Sequence, residues 1–137
     1  MIHELRNEIE QIQNDVVRSF AVEALQLLSH DQEDVGYIKK VVEYLLELSE
    51  VIDADDLAKD FIVVSGLLHE IGENTMDARI RLTPLMSIIG RENFNNILYL
   101  IERQDGFSSP YPEYTPQIDS PVHIWILPMA IKLAKGG

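Results

Sequence analysis

The sequence predicts an all-α protein: one compact, single-domain bundle of about six or seven helices over residues 1–137. Three observations predict it. Apolar residues recur at three- and four-residue steps along most of the chain, the period of a helix with one buried face. Pro84 and Pro121 stand where helices begin, and Gly72 and Gly90 where they stop. No stretch alternates apolar and polar residues as a strand would, and there is no internal repeat or low-complexity tract.

Residues 1–28 carry Ile2, Leu5, Ile9, Ile12, Val16, Phe20, Ala24, Leu27 and Leu28 at helical spacing. They read as one amphipathic helix, or two with a break near Asn14 and Asp15. This region is expected to pack on its own domain; its first half could instead serve a partner or a second copy of the chain. A polar break at residues 29–34 precedes a helix over 34–51, with Val35, Ile38, Val41, Val42, Leu45, Leu46 and Leu48 inward. Lys39, Lys40, Glu43 and Glu47 lie outside. Asp53 is the expected N-cap of the next helix, whose acidic first turn suits the positive end of a helix dipole. Residues 61–68 are apolar on nearly every face, so this helix should lie at the centre, with Gly72 as its stop.

Residues 73–77 read as a loop and 78–82 as a short helix. Thr83 and Pro84 open another helix that runs to Ile89 and stops at Gly90. The helix over 91–104 turns Phe94, Ile97, Leu98, Leu100 and Ile101 inward. Residues 106–118 hold Pro110, Pro112 and Pro116 with Tyr111 and Tyr114, and read as an extended surface loop. Asp119 or Ser120 caps the final helix. Its apolar side is expected to be Val122, Trp125, Ile126, Met129, Ala130 and Leu133, with a kink at Pro128.

Bulk composition narrows the function. Acidic residues number 23 against 11 basic, a formal net charge of -12. Such a surface repels phosphate backbones, which argues against broad nucleic-acid binding and against anionic membranes. A small phosphorylated ligand held by a few local cations remains compatible, and a bound divalent metal would offset the repulsion. With no cysteine, disulfides, thiolate chemistry and Cys-ligated zinc are excluded. The first residues mix charges and do not form a signal peptide, and the apolar runs are too short to span a bilayer. A soluble cytoplasmic protein is the expectation.

Chemistry concentrates at the end of the central helix, where His69 and Glu70 follow an apolar run. A polar pair there needs partners or a task. Two readings stand: a core histidine hydrogen-bonded to a helix-end carbonyl, or a metal ligand with a carboxylate beside it. The pattern of a zinc-protease helix fails, because Glu73 stands where the second histidine would be. His3 reads as a solvated terminal residue and His30 as a cap or surface residue. His123 lies one turn after Asp119, so the two could share a divalent cation; equally, Asp119 could only cap its helix. Arg79, Arg81 and Lys40 are cations that could meet a phosphate or form surface ion pairs. Phe107, Tyr111 and Tyr114 could stack on a base, dock a partner or pin their own loop.

Leu67-Leu68-His69-Glu70-Ile71-Gly72 resembles the signature of the HD-domain metal-dependent phosphohydrolases, in which a helix ends Leu-Leu-His-Asp-Ile-Gly. Tyr37-Ile38-Lys39-Lys40-Val41, followed by Val42-Glu43-Tyr44, takes the place of the family's His-x-x-Arg-Val. The resemblance covers roughly residues 30–135 and agrees with an all-α architecture. The motif is degenerate: Tyr37 replaces a histidine, Lys40 an arginine and Glu70 an aspartate. Gln104 falls near the place of a later histidine found in some members.

The resemblance implies a metal site of His69, Glu70, Asp119 and His123, with His123 substituting for the lost ligand. The metal would be divalent (Mn, Mg, Zn, Fe, Co and Ni are not distinguished). The implied activity is hydrolysis of a nucleotide-like phosphoester by metal-activated water, with Glu70, Arg79 and Arg81 as catalytic residues. The alternative is a catalytically inactive HD-like module without a metal, binding a small ligand or a protein partner, or acting as a homo-oligomer.

Overall fold

The computed structural model describes residues 3–27, 35–70, 75–102 and 121–136. Among them are eight α-helices: α1 (Arg6–Glu10), α2 (Asp15–Leu27), α3 (Val35–Val51), α4 (Asp56–Leu68), α5 (Thr75–Leu82), α6 (Met86–Ile89), α7 (Arg91–Glu102) and α8 (Pro121–Ala134). A 3-10 turn, Thr83–Leu85, joins α5 to α6. The described residues contain no strand, and the predicted all-α bundle is what the chain forms. None of these helices is long and apolar enough to cross a membrane. The break at 29–34, the Gly72 stop, the 106–118 loop and the cap at Asp119 or Ser120 lie outside the described residues.

The core is built around α4, which packs against α2, α3, α7 and α8. Every residue from Asp60 to Leu68 is buried, as an all-round apolar helix requires. Gly66 permits the closest approach to α3: a Cβ there would stand 2.4 Å from Leu45 Cδ1 and 3.4 Å from Val42 Cγ2. Ser65 Oγ donates to the Ile62 carbonyl at 2.7 Å, so its buried hydroxyl is satisfied. Phe94 of α7 meets Phe20 of α2 edge-on, with ring centroids 6.2 Å apart.

Of the two readings of the first 28 residues, the structure takes two helices with a built joint. Asn14 Oδ1 accepts from Val16 N and Val17 N at 2.9 and 3.0 Å, capping α2. The buried carboxylate of Asp60 accepts from Gln13 N and Asn14 N, both at 2.9 Å. Arg18 Nε donates to the Ile12 carbonyl at 2.9 Å. The backbone groups that a continuous helix would have paired are therefore paired here by side chains.

Two expectations need correction. Asp53 does not cap α4; Asp55 does, accepting from Ala58 N at 2.8 Å. Asp53 instead ends α3 in the left-handed region, φ 55°. Ala54 N donates to Ser49 O at 3.0 Å and Asp53 N to Glu50 O at 3.1 Å, the paired bonds of a Schellman motif. With aspartates at 53, 55 and 56 around Ala54, composition alone did not separate the end of one helix from the start of the next. On α8, Ile126, Leu127 and Ala130 are buried, whereas Trp125 (52% exposed), Met129 (47%) and Leu133 (41%) lie on the flank of that face. The helix is apolar on most sides, so spacing did not fix which side faces α3. Pro84 and Gly90 act as predicted, Gly90 with φ 85°.

Candidate functional site

The end of α4 brings His69 into the core, 3% exposed. Its Nδ1 lies 2.6 Å from the Gly66 carbonyl, an oxygen that can only accept, so Nδ1 carries the ring proton. This bond occupies a carbonyl of the last turn and helps end the helix. Nε2 is then the acceptor nitrogen, and it faces the Tyr37 hydroxyl at 3.3 Å. Tyr37 comes from the first turn of α3, and the two rings stand 5.5 Å apart at 62°.

Electrostatics agree with this pairing. Burial holds the His69 imidazole below its ordinary range; the Gly66 bond and Glu70 oppose that shift, and Lys135 adds to it. The ring is neutral near pH 7. Burial, then the charge of Glu70, holds the Tyr37 phenol above its ordinary range, so it remains a donor. Both groups are in the protonation states that their hydrogen bond needs.

An open cleft of about 510 Å³ lies between the first turn of α3 and the end of α8, lined by Gly36, Tyr37, Lys40, Ala134 and Lys135. Lys135 Nζ stands 5.8 Å from the centre of the Tyr37 ring. Tyr37 is thus shared: its ring walls the cleft and its hydroxyl reaches the buried histidine behind.

The structure brings together His69, Glu70, Tyr37 and Lys40 from the sequence-derived set. It directs Arg79 elsewhere. The Arg79 guanidinium grips Glu102 of α7 through Nε (2.7 Å) and Nη2 (3.0 Å), and Nη1 donates to Asn95 Oδ1 at 3.0 Å. The Glu102 side chain is fully buried. Arg81 lies in the last turn of α5, and neither arginine is among the described residues that line the cleft. His3 is exposed. His30, Gln104, Phe107, Tyr111, Tyr114 and Asp119 lie outside the described residues, as does the side chain of His123.

Of the four residues implied as metal ligands, only His69 and Glu70 are described with their side chains. Both ring nitrogens of His69 are engaged, so the lone pair a metal would take is already an acceptor for Tyr37. Among the described residues no group of three or more His, Cys, Asp or Glu side chains is placed to share an ion. At the end of α8, Ala134 and the following Lys135 line the cleft beside Tyr37. At a rise of about 1.5 Å per residue, the His123 backbone stands roughly 18 Å along that helix from Lys135.

Sequence reasoning missed Lys135, Gly36 and the Arg79–Glu102 pair. A signal existed for the pair: Glu102 falls four residues after Leu98 on the inward stripe of α7, where a carboxylate requires a cation. Comparison with protein families, curated proteins and solved structures found no match to this chain.

Proposed function

We propose that this chain is an HD-like helical domain that works as a binding module for a small ligand, without metal-dependent catalysis. The observation that carries the reading is the Tyr37–His69 hydrogen bond, 3.3 Å long, at the position where the resemblance expects two imidazoles to meet a metal. A neutral phenol is a poor metal ligand near pH 7, and here it also occupies the one acceptor nitrogen of the histidine. The chemistry left is recognition: a cleft with a phenol wall, two lysines and a rigid buried support.

Thermal unfolding with Mn²⁺, Ni²⁺ or EDTA tests this. The native chain is expected to melt at the same temperature in all three. Tyr37→His, which supplies a second imidazole, is expected to gain a metal-dependent rise. Stoichiometric metal on the native chain, lost in His69→Ala, would overturn the proposal.

A second reading, the metal-dependent phosphohydrolase, draws support from Glu70, whose charge favours a cation at His69. It needs Asp119 or His123 to complete the set and Arg81 to steady the substrate. Its test is Mn²⁺-dependent hydrolysis of a generic phosphoester, abolished by Glu70→Gln.

A further inference from the structure

We infer that the cleft between α3 and α8 binds the phosphate group of a small molecule, with Lys40 and Lys135 as its two cations and Tyr37 as its wall. The inference rests on the binding-module reading and names its ligand class. It begins from the charge inventory. In a chain of net charge -12, carboxylates outnumber cations two to one, and five of the ten described Lys and Arg side chains lie beside one. Arg6, Arg18, Lys39, Lys59 and Arg79 each lie within 4.0 Å of an Asp or Glu oxygen. Lys40, Arg91, Lys132 and Lys135 have no carboxylate within that distance among the described residues, and of these Lys40 and Lys135 line the cleft. These two lysines, 95 residues apart in sequence, converge on one cleft.

The lining supports the same ligand. Among the described residues it includes no carboxylate; Glu70, whose charge acts on Tyr37, is not part of it. The first turn of α3 adds the positive end of a 17-residue helix, and Gly36 in that turn is exposed and contributes no side chain. The last turn of α8 brings the opposite end of a dipole, and Lys135, directly after it, counters that charge. Lys135 is also drawn to the Tyr37 ring, which holds its ammonium at the cleft mouth. Two point charges suit a dianion better than a monoanion. A volume of about 510 Å³ exceeds a bare phosphate and falls within the range of small-molecule sites.

The test is an amide-resolved NMR titration of the full chain in EDTA, with inorganic phosphate and phenyl phosphate against sodium acetate and chloride at matched ionic strength. Both phosphates are expected to give saturable shifts at Gly36, Tyr37, Lys40 and Lys135, with phenyl phosphate the tighter. Acetate and chloride are expected to give none. Lys40→Gln and Lys135→Gln should each weaken phosphate binding about tenfold, the loss of one charge-assisted hydrogen bond. Lys39→Gln, whose lysine pairs with Glu8, should leave it unchanged. No saturable shift, equal shifts with chloride, or binding indifferent to both cleft variants would overturn the inference and leave the binding-module reading standing. Phosphate binding that appears only with added Mn²⁺ would overturn both.

Discussion

Replacing Glu102 with alanine removes half of a buried ion pair and leaves the other half in place. The Glu102 side chain is fully buried and that of Arg79 is 17% exposed. Two of the guanidinium's charge-assisted bonds vanish, at 2.7 and 3.0 Å, while Asn95 and the Phe94 ring, 6.0 Å from the guanidinium carbon, remain. Breaking one side of a buried pair costs about 3–5 kcal/mol, and the partial exposure of Arg79 lets water relieve some of it, so we take about 3 kcal/mol. For a domain of this size that lowers the melting temperature by roughly 10–12 °C. Circular dichroism at 222 nm measures it. Glu102→Ala combined with Arg79→Met should recover most of the loss, because two apolar groups no longer strand a charge. A Glu102→Ala chain melting within about 3 °C of the native one would refute the reasoning, as would a double variant less stable than the single. Arg79→Lys, which cannot reproduce the fork, should lower stability without changing the phosphate titration. A reversed outcome would return Arg79 to the binding site.

Gly66→Ala sets a Cβ 2.4 Å from Leu45 Cδ1. The leucine end can swing, and alanine favours the helix, so a net loss of about 1 kcal/mol is expected in a urea titration; a gain would mean that α3 and α4 are looser than described. Asp53→Gly should raise stability by about 1 kcal/mol by relieving the left-handed residue that ends α3, and a lowered melting temperature would contradict that φ. The His69 pKa is held below 6.5 in the folded state, so the unfolded chain binds the proton first as pH falls. Its contribution is full above about pH 6.5 and declines as pH falls from there through the lower folded value. His69→Gln should lack that part of the pH dependence; parallel curves for the two chains between pH 7 and 5 would refute the shift.

Most helices were legible because their burial is one-sided. The spans of α2, α3 and α7 follow from apolar spacing, that of α4 from an unbroken apolar run, and Asn14 announced the joint between α1 and α2 through a side chain that competes for backbone donors. α8 was legible as a helix but not in orientation, since Trp125, Met129 and Leu133 repeat at the same interval as its buried residues. In the site, Tyr37 of α3 meets His69 at the end of α4. Spacing alone gave no reason for a residue of one helix to meet the end of another. Lys135 was hidden for the same reason: its partner ring is almost a hundred positions away, and nothing local marks a lysine after a helix as part of a cleft. The Arg79–Glu102 pair shows the opposite failure. Arg79 had plausible tasks on its own, and only the fold couples it to Glu102.

The carboxylate of Asp60 has a consequence for how the molecule comes apart. It sits near the start of the innermost helix, yet the amides it receives belong to Gln13 and Asn14, 47 and 46 positions earlier. Peeling α1 away would strand a negative charge among apolar neighbours, so the N-terminal segment cannot fray independently of the centre. Amide exchange at residues 13 and 14 should therefore follow global opening, and the bundle should melt as one cooperative unit rather than from its beginning inward.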